Sequence, residues 1–406
     1  MTSQHPYFIQ KQNFTESRVA FAQEILRCEQ QADFIFNTPD YVLAGGEKIS
    51  SIQAEPLSGL NDALAQAKQQ LQTAQQASAV PIMLMGGIPF ANVACMDLML
   101  MQQVQRYQKV LFDPQYQPKM HRQFKTGTAF VPSGQEYQQQ VAYLVEQMRQ
   151  GKLNKAVLAR VLALDFAEEI DISSVFYQLT QANPEGYSYA VSSDPVQKGW
   201  FIGASPELLV GKKQSAVWSR PVAGTLARHA DPVQDQNNAQ QLLASRKDQH
   251  EHAVVIEMIA DQLSPFCQQL HIPKKPELIK TQRLWHLATQ IQGQLKDPDT
   301  HVLDLVQRLH PTPAICGQPT TVARDLIAQL EPFERELFAG TMGWADAHGD
   351  GEWSVTVRCA RILGQQARLF AGAGIVQASS PEAEHAETAA KFRTVLDGFG
   401  LSPEQL

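Results

Sequence analysis

In the segment PEAEHAETAAKFRTVL, residues 381–396, Glu384, Glu387 and Lys391 recur at i, i+3 and i+7. On a helix of about 3.6 residues per turn that spacing puts all three on one face. Two carboxylates on one face suit a hard cation, which takes oxygen ligands, held beside a substrate. The same spacing also describes a solvated face, because Glu followed by Lys four residues later supports an isolated helix. Ser380 and Pro381 supply an N-cap and a first helical residue, and LFAGAGIV just before them reads as a buried strand running into the turn.

Other segments carry residue types able to move protons or hold anions. LNKAVLAR sets Lys155 at the start of an apolar strand, where a desolvated amine can take a proton from water and a strand-edge lysine keeps its head in solvent. FIGASPELLV sets Glu207 after a Ser-Pro turn between apolar runs: buried, it is a general acid near neutral pH; exposed, an ordinary turn carboxylate. SRPVAGTLAR is a Gly-Thr turn, Gly224 and Thr225, whose backbone N–H groups could meet a carboxylate. KDQHEHAVVIEMIADQL puts Asp248 and Glu251 three apart on a helix, with Glu257 off that face as a surface residue. His250 and His252 in the same run point to nearly opposite sides and do not share a metal.

WSVTVR alternates cleanly, which assigns Arg358 to the polar face of a strand, suited to bidentate capture of a carboxylate. In FAGAGIV, Gly372 and Gly374 share a strand face, leaving room for a ligand or for tight sheet packing. His286 in LWHLATQ sits on a β-like alternation, where a satisfied core histidine is the default.

The elements that must position these residues read as α+β. Before residue 130 the pattern predicts a helix near Gly59–Gln76 and β-like segments at Tyr41–Leu43 and Val80–Met85. From Gln135 it predicts a helix to Arg149, a strand Ala156–Phe166, a helix Ile172–Ala182 and strands Tyr187–Ser192, Trp200–Gly203 and Leu208–Gly211. One long helix from about Asn237 to Leu263, a strand Leu284–Leu295, a helix Val302–Leu309 and strands Ser354–Leu363 and Arg368–Val376 follow. Long antiparallel strands separated by helices and hairpins argue against a regular βαβ alternation.

With 406 residues and 44% hydrophobic content the chain can bury one large core. A formal net charge of −7 and no basic run longer than a Lys pair exclude nucleic acid and anionic membrane as expected partners and favour a small molecule. Five cysteines, Cys28, Cys95, Cys267, Cys316 and Cys359, form no CxxC pair and suit a reducing cytoplasm. The N-terminus lacks an export pattern, and the apolar window Val80–Met101 is broken by Pro81, Gly86, Gly87, Pro89, Asn92 and Asp97, so it reads as a buried strand and loop, not a membrane span.

Taken in order, LNKAVLAR, FIGASPELL, PVAGT, KDQHEH, LWHL, LHPTPAICG, FAGTMGW, GDGEWSVTVR, LFAGAGIV and PEAEHAETAAKF resemble the chorismate-utilising enzymes, from about Leu153 to Gly400, and most closely the branch that forms isochorismate. The resemblance implies a single α+β domain of two large, mostly antiparallel sheets stacked as a sandwich with helices outside. Residues 1–130 would be a weakly matched N-terminal part of the same fold, and residues 131–406 the chorismate-binding catalytic region. It also implies roles. Lys155 would be the base that activates water for attack at C2 of chorismate, and Glu207 the acid that protonates the leaving C4 hydroxyl. Glu251 and Glu387 would ligate Mg²⁺ directly, with Asp248 and Glu384 acting through metal-bound water. Gly224, Thr225, Gly372, Arg358 and Lys391 would contact substrate carboxylates, His286 would be a site histidine, and Ala314, Ile315 and Phe338 would wall the reacting ring.

Single positions separate the chemistries of this family. The turn position at which the aminodeoxychorismate-forming members carry a nucleophilic lysine is Ala223 here, and anthranilate synthases generally have glutamine where this chain has Lys155. Amination is therefore disfavoured and no glutamine amidotransferase subunit is expected. Salicylate synthases tend to have threonine where this chain has Ala314, so the alanine favours stopping at isochorismate. The compact length and the GDGEWSVTVRCA segment resemble the catecholate siderophore members more than the menaquinone members.

Overall fold

The computed structural model describes residues 33–52, 59–91, 96–108, 117–121, 123–125, 127–194 and 199–402. The export reading of the N-terminus, together with Cys28 and Cys95, lies outside them. Two large sheets and one small one account for the strands, and every ladder between named strands is antiparallel. The first large sheet is centred on the long strands Lys155–Asp165 and Gln366–Val376, which pair along their whole length from Lys155↔Val376 to Asp165↔Gln366. The second runs through Leu208–Lys213, Gly351–Val355, Thr341–Asp346 and Ile82–Ile88. The small sheet joins Val222–Ala227, Leu284–Ala288 and Glu277–Lys280.

One apolar cluster spans the space between the large sheets, with Phe34, Phe36, Phe201, Phe370 and Trp353 in it. A second lies on the other face of the first sheet, where Ile35, Ile202 and Leu369 meet Phe176, Val395 and Phe399 from the helices Ile172–Ala182 and Pro381–Phe399. The first sheet is thus buried on both faces, which is why Lys155–Asp165 reads as a nearly continuous apolar run.

Helix ends are set by local chemistry. Ser380 and Ser245 cap Pro381–Phe399 and Arg246–Leu263 through their hydroxyls, and Gly400, at φ 70°, ends the former in the left-handed conformation that glycine tolerates.

Four segments differ from the sequence expectation. The predicted helix Asn237–Leu263 is two helices, Pro232–Ala244 and Arg246–Leu263, because Ser245 leaves helical geometry at ψ 112° to cap the second. The predicted strand Leu284–Leu295 is two strands, Leu284–Ala288 in the small sheet and Ile291–Leu295 in the second large sheet. The predicted strand Ser354–Leu363 is also two, Gly351–Val355 and Cys359–Leu363, and they belong to different large sheets. The window Val80–Met101 holds the strand Ile82–Ile88 as expected, and a second strand, Asp97–Gln102, begins within it. Hydrophobic alternation runs straight through such crossings, because both halves are buried strands. No helix of the described residues is long and apolar enough to cross a membrane.

Candidate active site

The cleft lies where the chain passes from one sheet to another. Pro206 and Glu207 bridge Gly199–Ser205 of the first large sheet and Leu208–Lys213 of the second, and residues 356–358 make the reverse crossing. Arg358 is consequently on a sheet-to-sheet joint and not on a strand face as the alternation suggested. Its backbone is left-handed, φ 53°, a conformation costly for a side-chain-bearing residue. Among the described residues its guanidinium makes no hydrogen bond or ion pair, and it lines the cleft. Burial pulls its pKa below the ordinary guanidinium value, against the Glu387 and Glu207 carboxylates.

Glu207 is buried, its backbone N–H donating to Ser205 Oγ at 3.2 Å and its carbonyl accepting from Val355 N at 3.1 Å. Burial pushes its carboxyl up to about 7, opposed by a Val222 backbone hydrogen bond and by the Arg358, Lys155 and Lys391 charges. That is the range in which a carboxyl can both hold and give a proton at neutral pH.

PVAGT is strand more than turn: Val222–Ala227 pairs with Leu284–Ala288, and a register shift between Ala223 and Thr225 lets Gly224 sit at φ 82°. Thr225 Oγ1 meets His286 Nδ1 at 3.0 Å, while His286 Nε2 is buried with no partner. Burial, then the Arg358 and Lys391 charges, drives His286 well below its usual pKa, so the cleft receives a neutral imidazole.

The acidic residues stand on the first two turns of two helices, where the N-terminal dipole favours negative charge. Glu251 Oε1 accepts from Lys155 Nζ at 2.8 Å, Glu384 Oε1 from Lys247 Nζ at 2.7 Å, and Glu387 Oε1 from Lys391 Nζ at 2.6 Å. Lys391 Nζ also donates to the Gly372 carbonyl at 2.8 Å. Asp248 Oδ2 accepts from the Ser245 hydroxyl. Burial alone would raise Glu251, but the Lys155 ammonium, with Lys391 and Lys247, holds it below its ordinary value. Asp248 and Glu384 are raised, first by burial and then by neighbouring carboxylates, Glu251 and Glu387 on the one and Glu387 on the other, against the Ser245 hydroxyl and the Lys247 ammonium.

The donor set has the chemistry that a divalent cation takes, while among the described residues no three acidic side chains converge closely enough to hold one as they stand. The oxygens are hard, and Glu384 Oε2 is buried without a partner.

Val157, Ala314, Ile315, Phe338, Phe370 and Ala371 wall the cleft, with the Phe338 and Phe370 rings stacked at 5.4 Å between centroids. The structure thus brings Glu207, Gly224, Thr225, Glu251, His286, Ala314, Ile315, Phe338, Arg358, Gly372, Glu387 and Lys391 to one cleft, with Lys155 just behind Glu251. His252 instead turns away to Thr289 Oγ1 at 2.7 Å, and His250 and Glu257 are exposed.

Residues the sequence reading passed over also shape the site. Lys247, adjacent to Asp248 in KDQHEH, was legible as a cation beside carboxylates. The buried pair Glu331–Arg335, at 2.6 Å, holds Ala159 N, Val157 O and Ile315 O in place, and only an i,i+4 spacing hinted at it.

A family sequence model described as "Chorismate binding enzyme" matches residues 91–400. The chain is 40% identical to isochorismate synthase DhbC of Bacillus subtilis (strain 168), over 94% of this chain and 96% of that one. It is 42% identical to isochorismate synthase EntC of Escherichia coli (strain K12), over 67% and 68% of the two chains. The crystal structure of a putative 2,3-dihydroxybenzoate-specific isochorismate synthase, DhbC from Bacillus anthracis, superposes with a TM-score of 0.86 at 36% identity, covering 94% of this chain and 100% of that one.

Proposed function

The chain belongs to the chorismate-binding enzyme family, and from that premise we propose that it is an isomerase converting chorismate to isochorismate. The observation that carries the reading is Glu207: a buried carboxyl pushed up to about 7, in the cleft that also presents the unpaired Arg358 guanidinium and has Lys155 behind Glu251.

In this reading Lys155, in its neutral form, takes a proton from water as the water oxygen bonds to C2. Glu207 gives its proton to the C4 hydroxyl, which leaves as water while the ring double bonds shift. One water is added and one lost, so substrate and product are isomers and the reaction is reversible. Arg358 clamps the enolpyruvyl carboxylate, Lys391, Gly372, Gly224 and Thr225 meet carboxylate oxygens, and His286 offers Nε2 to the substrate. Ala314, Ile315 and Phe338 hold the ring. Glu251 and Glu387 would hold Mg²⁺, with Asp248 and Glu384 close by, and the bound ion would neutralise the ring carboxylate.

Ala223 on the cleft wall offers no amine to the ring, and a water nucleophile requires no ammonia-supplying subunit. A catecholate route is the proposed setting, since the 2,3-dihydroxybenzoate-specific protein covers nearly the whole chain. The buried free thiols Cys267, Cys316 and Cys359 fit a reducing cytoplasm.

The test is incubation of the purified protein with chorismate and Mg²⁺, followed by chromatographic separation. Isochorismate in equilibrium with chorismate is expected. Stoichiometric pyruvate with salicylate would move the assignment to a salicylate synthase, and turnover only with ammonia would move it to an aminating enzyme.

A further inference from the structure

Building on the cation site proposed above, we propose that Lys155, Lys247 and Lys391 are internal counter-ions that occupy its carboxylates in the substrate-free protein and compete with a divalent cation for the same carboxylates. The pairing is one to one: Lys155 on Glu251 at 2.8 Å, Lys247 on Glu384 at 2.7 Å and Lys391 on Glu387 at 2.6 Å. Asp248 alone has a hydroxyl, that of Ser245, in place of an ammonium. An ammonium beside a carboxylate already balances its charge and repels a second cation, so lysine and divalent cation are alternatives there even where one carboxylate oxygen is free.

Charge gives the direction of the effect. With Glu207 protonated and His286 neutral, the four carboxylates of Asp248, Glu251, Glu384 and Glu387 are balanced by the three lysines and Arg358, and the free cleft is formally neutral. A divalent cation alone leaves it two charges positive. A substrate bearing two carboxylates restores neutrality while Lys155 is still an ammonium, before it loses its proton to act as the base, so cation and dianion each favour the other's binding, and the cation by itself binds weakly. Lys247 is the informative member of the set. It does not line the cleft, its side chain is 31% exposed, and its partner Glu384 is fully buried with Oε2 unpartnered. It acts through Glu384 and is a positioning residue.

Isothermal titration of the substrate-free protein with MgCl₂ at fixed ionic strength tests this on wild type, Lys247→Met, Lys155→Met and Lys247→Arg. Both methionine variants should bind Mg²⁺ at least about tenfold more tightly than wild type, and Lys247→Arg should stay within roughly twofold of it. Circular dichroism checks the fold. Lys247, being partly exposed, keeps the test decisive if Lys155→Met does not fold. Mg²⁺ affinity equal to or weaker than wild type in every folded methionine variant overturns the inference and leaves the cation site standing. No Mg²⁺ binding to wild type, even in an equilibrated chorismate mixture, removes the cation site and the inference together.

Discussion

Thr225 and His286 are directly opposed residues of an antiparallel ladder, and their side chains meet at 3.0 Å between Oγ1 and Nδ1. That contact fixes the imidazole ring and leaves Nε2 for the cleft. Thr225→Val leaves a buried ring nitrogen unpaired, which costs about 1–3 kcal/mol of stability. It should lower kcat/KM for chorismate about tenfold, mainly through KM, with Thr225→Ser close to wild type. Steady-state kinetics alongside urea unfolding measure both effects, and a kinetically silent Thr225→Val would detach His286 from substrate binding.

Glu207 sets a pH limit. Its carboxyl, ordinarily at 4.5, stands at about 7 because of burial, so the acid is protonated below that value and ionised above it. The kcat/KM profile of the free enzyme should therefore fall as pH rises through about 7. The linked stability has the same sign: the protonated form favours the folded state, so this contribution is complete below 4.5 and is lost as pH rises through about 7. Glu207→Gln should lower kcat by at least ~10²-fold and gain stability relative to wild type between pH 5 and pH 8. Lys155→Ala should lower kcat on the same scale. Near-wild-type kcat in either variant would refute the acid–base assignment.

Gly372 and Gly374 share a strand face but not a constraint. A Cβ on Gly374 would lie 2.2 Å from Glu251 Oε1 and 3.1 Å from Lys155 Cε, whereas on Gly372 its nearest neighbour is Leu158 O at 3.3 Å. Gly374→Ala should displace the Glu251 carboxylate and abolish most turnover with an unchanged circular dichroism spectrum. Gly372→Ala should retain the larger share of activity. Equal activities in the two variants would contradict this geometry.

Ala314 lines the cleft beside Ile315, its N–H donating to Thr312 Oγ1 at 3.2 Å. A threonine there adds contacts to the ring and its enolpyruvyl arm and prolongs their close approach. Ala314→Thr should raise the fraction of pyruvate and salicylate above the trace expected of the unmodified protein. A lactate dehydrogenase-coupled assay reads the pyruvate directly.

Arg335 is nearly fully buried against Glu331 and holds two carbonyls of the cleft wall. Arg335→Met strands a buried carboxylate and should cost about 3–5 kcal/mol in denaturant unfolding. A loss below ~1 kcal/mol would show that the pair contributes shape and little stability.

Helix faces and capping are local, and the sequence carried them. Glu384, Glu387 and Lys391 share a stripe because a helix repeats about every 3.6 residues, and Asp248 and Glu251 follow the same rule. The order of motifs was enough to indicate the family and the antiparallel α+β architecture. Arg358 was misplaced for an equally physical reason: Trp353, Val355 and Val357 continue an alternation that does not register the chain's move from one sheet to another at residues 356–358.

What the chain determined by itself is therefore the set of reactive side chains and, for those on helices and on the long strand from Lys155, the element each belongs to. Tertiary structure decided which of them meet. Lys155 and Glu251 are 96 positions apart, and Lys247 and Glu384 are 137 apart, yet each pair is in hydrogen-bond contact. Those contacts, and the burial that moves Glu207 to about 7, depend on how two sheets and two helix ends pack, and periodicity along the chain holds no information about distances across it.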